Sequence, residues 1–197
     1  MLLYNHILEV RNAHIPYYYI SNEQIPFANI FYTYFNDIFW TFCFRRNNER
    51  EWFSIECVKA KFGGVNVLIN SAGVVGYENI YDFKNKKPHS VDLYKCVFET
   101  NVWGLFNVTR LMVGLMAKNK PDSNQQRGVI INLSSTMAYE PPPGLVAYGA
   151  TKSAVSGMTI PLARGLASQG IRVITICPGY IDSPMTGVLV LRPVCNV

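Results

Sequence analysis

An α/β fold built on a parallel sheet is predicted by two features of the chain. Residues 65–70, 128–134 and 171–177 are short runs that stay apolar without polar alternation, and the stretches between them carry apolar residues at helical spacing. A strand apolar throughout is buried on both faces, and strands alternating with helices supply the crossovers that cover those faces. The expected architecture is therefore a doubly wound α/β sheet covered on both sides.

Each element follows from its own residues. The first run, VNVLIN, ends at the small-residue turn Ser71-Ala72-Gly73 and reads as a buried strand. Residues 91–118 place Val97, Val102, Leu105, Val108 and Met112 on one helical face, which predicts a single long helix. The run GVIINLS is the second strand. Residues 146–168 form a second helical stretch, closed by Gly170 where helices tend to stop. The third strand, IRVITIC, is ended by Pro178-Gly179.

With 197 residues, the chain is long enough for one domain with a full core. Hydrophobic residues make up 49% and charged residues 16%, which excludes wholesale disorder and a coiled coil. The net charge of +5 comes from scattered cations with no basic stripe, so nucleic acid is not an expected partner, whereas small anionic ligands are compatible. Cys43, Cys57, Cys96, Cys177 and Cys195 are odd in number and lack a C-x-x-C pair. That pattern fits neither a zinc site nor a secreted disulfide framework, so no metal is expected and a reducing compartment is the default.

The composition changes near Cys57. No glycine precedes Gly63, while aromatic residues crowd the start in runs such as Tyr17-Tyr18-Tyr19 and Phe39-Trp40-Thr41-Phe42. Residues 1–56 are read as an atypical aromatic-rich segment that packs weakly or not at all, and residues 57–197 as the α/β domain. The most apolar stretch, residues 30–44, is shorter than the ~20 residues a spanning helix needs and carries Asn36 and Asp37, so no membrane span is expected. No basic region precedes an apolar run as in a secretory signal, and the start lacks the Arg- and Ser-rich character of a transit peptide.

In an open parallel sheet the ligand lies beyond the carboxyl ends of the strands. There the sequence sets Asn70-Ser71-Ala72-Gly73 after the first strand, Ser134-Ser135 after the second with Tyr148 and Lys152 downstream, and Pro178-Gly179-Tyr180-Ile181-Asp182-Ser183 after the third. Tyr148 and Lys152 are four apart at the start of a helix and share a face. An ammonium beside a phenol favours the phenolate, so the Tyr148 pKa is expected to fall toward neutrality and make it a usable acid or base. A hydroxyl such as Ser135 would then polarise a carbonyl oxygen beside it. Alone, a Tyr-x-x-x-Lys pair fits many helices that have no catalytic role.

The combination of Asn70-Ser71-Ala72-Gly73, Asn101, Ser135, Tyr148-Gly149-Ala150-Thr151-Lys152 and Pro178-Gly179, in this order and context, resembles the short-chain dehydrogenase/reductase family over residues 57–186. The resemblance implies a Rossmann-like sheet and an NAD-dependent oxidoreductase that interconverts a secondary alcohol and a ketone. It gives Tyr148 the acid/base role, and Lys152 the dual role of lowering that pKa and holding the nicotinamide ribose. Ser135, preferred to Ser134 for its offset from Tyr148, would stabilise the substrate oxygen, and Asn101 would kink its helix and hold a water of a proton relay. Asn70, Ala72 and Gly73 would line the cofactor, and Pro178, Gly179, Ile181 and Ser183 would cradle its nicotinamide end. A small-molecule substrate, a homo-oligomer and mitochondrial residence are likewise implied, with the cytoplasm as the alternative location.

The chain also departs from the family pattern. The family opens with a strand, a glycine-rich turn and a helix whose N-terminus receives the dinucleotide diphosphate, and no glycine stands there to form that turn. The expected fold is thus a partial Rossmann-like sheet lacking the first βαβ unit and the C-terminal strand, with residues 65–70 left as an unpaired edge. Three readings follow: an active oxidoreductase, a truncated relative with little cofactor affinity, and an interaction partner of a complete relative.

Overall fold

The computed structural model describes residues 59–60 and 63–181 in full, and the backbone of three strands that precede them. Those strands are β1 (Tyr17–Ile20), β2 (Ile30–Phe35) and β3 (Ile38–Thr41). They are followed by β4 (Val67–Asn70), a small hairpin of β5 (Tyr81–Asp82) and β6 (Lys87–Pro88), helix α1 (Val91–Phe98), helix α2 (Leu105–Met116), β7 (Gly128–Leu133), helix α3 (Val146–Leu166) and β8 (Ile171–Ile176). The main sheet has six strands in the order β1-β2-β3-β4-β7-β8. β3, β4, β7 and β8 are parallel neighbours, while β1, β2 and β3 are joined antiparallel.

The expected bare edge at residues 65–70 is corrected by this order. β3 pairs in parallel with β4, register Ile38 to Val67 and Thr41 to Asn70. The physical reason lies in composition: the runs IFYTYF and IFWT are β-branched and aromatic, and such residues favour strands whether or not a glycine turn follows them. The antiparallel pairing of β1, β2 and β3 is not a βαβ unit, and the sheet as a whole is the partial Rossmann-like one expected.

The core lies on one side of the sheet. Leu68, Ile130 and Val173 stand in register across β4, β7 and β8 and are buried with Val108, Met112, Leu115 and Met116 of α2. Leu162, Ala163 and Leu166 of α3 pack against the same cluster. The opposite face carries Ile69, Ile131 and Ile174 in register, and Ile174 and Ile176 remain 45% and 47% exposed. Cover on both faces was expected; among the described residues, helices cover one.

The predicted helix over 91–118 is interrupted. Ser90 caps α1, its Oγ accepting the Leu93 N–H at 3.2 Å. A π-helical segment, Glu99–Gly104, then separates α1 from α2 and contains the buried Asn101. Such segments widen one turn of a helix and recur at functional sites. The end of α3 follows the sequence reading. Gly170 sits at φ 67°, in the left-handed region, and a Cβ there would lie 2.1 Å from the Gln125 carbonyl oxygen, so no other residue fits this stop.

Candidate active site

The parallel strands β4, β7 and β8 deliver three loops to one end of the sheet, and helix α3 starts among them. Thr136 N–H donates to the Pro178 carbonyl at 2.9 Å, which ties the loop after β7 to the loop after β8. Ser135 caps a short 3₁₀ turn, its Oγ accepting the Met137 N–H at 3.2 Å. That turn lies close against α3 because Gly149 has no side chain: a Cβ would stand 3.0 Å from the Met137 carbonyl oxygen and 2.8 Å from the Pro141 ring. The close approach carries Ser135 to the first turn of α3, where its hydroxyl lies beside the Tyr148 phenol.

Lys152 follows one turn later. Its ammonium is buried, donates to the Leu133 carbonyl at 2.8 Å and lies 5.6 Å from the centroid of the Tyr148 ring. That geometry is a cation over an aromatic face. Ser134 Oγ donates to the Lys152 carbonyl at 2.8 Å and receives the Ser156 hydroxyl at 2.9 Å, so it braces the helix. Ser134 is thus committed to α3, and Ser135 is the hydroxyl beside the phenol.

The expected direction of the Tyr148 pKa is overturned. Burial raises the phenol above 10.0, and only the Ser135 hydroxyl pulls it back. The ammonium that was to lower it is bonded to the Leu133 carbonyl. Burial also depresses Lys152, from 10.5 to about 8. The phenol thus holds its proton at neutral pH. Above pH 10 the unfolded chain releases that proton while the native phenol keeps it, so this group subtracts stability as pH rises. Alkaline difference absorbance between the parent chain and Tyr148→Phe should accordingly place the midpoint of the Tyr148 titration above that of a free tyrosine; a midpoint at or below the free value would contradict the burial argument.

The remaining predicted residues fall in three groups. Asn101 reaches the loop after β4: its Oδ1 accepts the Val74 N–H at 2.8 Å, and its Nδ2 donates to the Val74 carbonyl at 2.9 Å and to Thr151 Oγ1 at 3.0 Å. Gly73 stands against the same groups, since a Cβ there would lie 3.4 Å from Asn101 Oδ1 and 3.6 Å from Lys152 Nζ. Ala72 is half-buried on this loop. Asn70 turns its amide inward, donating to Thr109 Oγ1 at 3.0 Å and Asn132 Oδ1 at 2.8 Å, and so braces the sheet against α2. Pro178 is half-buried, and Gly179 and Ile181 are exposed, Gly179 having open space where a side chain would stand. Ser183 lies outside the described residues.

Thr109, Thr151 and Ser156 were not singled out in the sequence. Thr151 stood inside the Tyr-x-x-x-Lys run, where its hydroxyl was the available signal; the other two lie on helices among apolar neighbours and give none. Among the described residues no group of His, Cys, Asp or Glu could hold a metal ion, and no helix is long and apolar enough to cross a membrane.

A phenol, a hydroxyl and an amine converge at the carboxyl end of a parallel sheet, an arrangement suited to proton transfer at a carbonyl. The chain belongs to the short chain dehydrogenase family, whose model matches residues 38–192. The match begins within the aromatic-rich part, ahead of the composition boundary near Cys57, and takes in β3. The chain is 43% identical over 143 residues to human 3-hydroxyacyl-CoA dehydrogenase type-2, covering 73% of this chain and 54% of that protein. The crystal structure of 3-hydroxyacyl-CoA dehydrogenase type-2 from Mycobacterium avium superposes with a TM-score of 0.66 at 30% identity, covering 71% of this chain and 54% of that one. A gluconate 5-dehydrogenase from Burkholderia cenocepacia, in complex with NADP and tartrate, gives a TM-score of 0.62 at 25% identity, over 73% and 52% of the two chains. The chain spans about half the length of the curated relatives it matches.

A nicotinamide dinucleotide, the group this family implies, can be tested against the residues present. At the nicotinamide end they are compatible with it: the buried Lys152 ammonium lies 5.6 Å from the Tyr148 ring centroid, and Gly73 puts no side chain in front of that ammonium, where a Cβ would stand 3.6 Å from Nζ. At the diphosphate end the residues that follow β3 lie outside the described part, and the sequence offers no glycine before Gly63.

Proposed function

We propose that the chain is an NAD(H)-dependent oxidoreductase interconverting a secondary alcohol and a ketone, with a 3-hydroxyacyl-CoA or a hydroxysteroid as its substrate class. The observation that carries this reading is the convergence of Tyr148, Ser135 and Lys152. When bound, the nicotinamide supplies or accepts the hydride. The protein's part is to hold and move a proton. In reduction, the Ser135 hydroxyl donates a hydrogen bond to the ketone oxygen and fixes it beside Tyr148. The protonated phenol delivers its proton to that oxygen as it becomes an alkoxide. Lys152, held by the Leu133 carbonyl, places positive charge over the ring and stabilises the phenolate that remains. Oxidation runs the same path in reverse, with the phenolate as base.

NAD is preferred to NADP, and mitochondrial residence to cytoplasmic, on the resemblance to the 3-hydroxyacyl-CoA dehydrogenases. Trp103 and Phe106, half-exposed with ring centroids 6.1 Å apart, support association through the helices with a second copy or a complete relative.

A second reading, a relative with little cofactor affinity, is favoured by the missing glycine turn. Charge-assisted hydrogen bonds to a diphosphate contribute about 1.5–3 kcal/mol each, so losing several costs decades of affinity. NADH titration followed by fluorescence and by thermal shift separates the two. Saturable binding together with NADH consumption on adding a 3-oxoacyl-CoA is the expected result. No response at millimolar cofactor would establish the second reading.

A further inference from the structure

We infer that Thr151 is a positioning residue which, through Asn101, fixes the loop after β4 relative to Tyr148 and Lys152. The inference rests on the proposed redox reading for its purpose, but on independent geometry for its substance. Thr151 is fully buried, and its hydroxyl proton goes to the Tyr148 carbonyl at 2.7 Å. A threonine side chain is stiff at χ1, so this back-bond locks the rotamer. With its proton committed, Oγ1 faces Asn101 as an acceptor only. The group opposite it must therefore be the Asn101 NH2, which is found there at 3.0 Å.

That choice decides which way the Asn101 amide points. With Nδ2 toward Thr151 and the Val74 carbonyl, Oδ1 is left to accept the Val74 N–H, and both polar groups of one residue in the loop are clamped. A flipped amide would set its oxygen against the Val74 carbonyl and against a hydroxyl with no proton to give. Gly73, the next residue back along the chain, is held against Asn101 Oδ1 and Lys152 Nζ by the same clamp. The π-helical segment carrying Asn101, the cofactor-facing loop and helix α3 thus meet at a single hydroxyl. Thr151 sits between Tyr148 and Lys152 in sequence, so the residue that orders the loop travels with the helix that carries the proton chemistry.

Hydrogen–deuterium exchange at the Val74 amide in the full chain reads this coupling directly. Thr151→Val keeps the shape and removes the hydroxyl; it should speed Val74 exchange about tenfold or more, the effect expected when the buried Asn101 amide loses a partner and its hold on Val74 loosens. Thr151→Ser should restore parental exchange, and Thr151→Cys, a weaker acceptor of similar size, should fall between. The serine and cysteine variants keep the series informative where the valine chain folds poorly. Unchanged Val74 exchange in Thr151→Val, or equal loss of protection in Thr151→Ser, would overturn the inference. The NADH dissociation constant should rise with the exchange rate across the series. If no variant, nor the parent, binds NADH, the redox reading fails while the exchange series still decides the role of Thr151.

Discussion

Replacing Tyr148 by Phe is expected to lower ketone reduction by about 10²–10⁴-fold, the range a positioned acid contributes, with NADH affinity and melting temperature nearly unchanged. The substitution removes one oxygen and leaves the ring, so the Lys152 ammonium keeps its aromatic face at 5.6 Å and its bond to the Leu133 carbonyl. What disappears is the phenol oxygen beside Ser135. Because burial holds that phenol above its ordinary pKa, the parent site is charged with a proton at neutral pH and is poised for reduction. Alcohol oxidation needs the phenolate and should accelerate as pH rises toward 10. Initial rates of NADH consumption with a 3-oxoacyl-CoA, and of NADH formation with the matching alcohol across pH, measure both directions. A Tyr148→Phe chain that keeps most of the parental rate would remove Tyr148 from the reaction.

The sequence made the site more legible than its electrostatics. Tyr148 and Lys152 share a face because four residues make about one helical turn, and the three small-residue turns after β4, β7 and β8 gather because parallel strands end together. Those inferences need only local periodicity. The pKa of Tyr148 needs to know where the ammonium points, and a backbone carbonyl 19 residues away in the chain, that of Leu133, decides it. Likewise Asn70 was placed correctly at a strand end, yet its amide direction depends on Thr109 and Asn132, residues 39 and 62 positions distant. The edge pairing of β3 with β4 was not legible for a different reason: no glycine turn marks the end of that strand, and its β-branched and aromatic residues pair without one. Periodicity did not show the π-helical segment, because Val97, Val102, Leu105 and Val108 keep near-helical spacing across it; the family resemblance, which implies a kink at Asn101, pointed to the place.

The second large effect is expected at Lys152, and it has a sign that varies with pH. A lysine whose pKa is about 8 in the native chain and 10.5 when unfolded carries its ammonium at a cost of about 3 kcal/mol below pH 8. Between those values the unfolded chain binds the extra proton, so stability rises with pH across that window and the deficit has vanished by pH 10.5. Lys152→Met removes the titrating group. Its melting temperature relative to the parent should therefore be most favourable near pH 7 and lose about 6–12 °C of that advantage by pH 10.5, given 2–4 °C per kcal/mol for a domain of this size. Other lysines titrate equally in both chains and cancel in the difference. The same substitution should weaken NADH binding at pH 7, where the ammonium is available to donate, and do so less at pH 10, where the parent amine has lost its charge. A melting-temperature difference independent of pH would mean that Lys152 bears no burial cost; a pH-dependent difference with NADH affinity unchanged would mean that the charge is held there for the phenol alone.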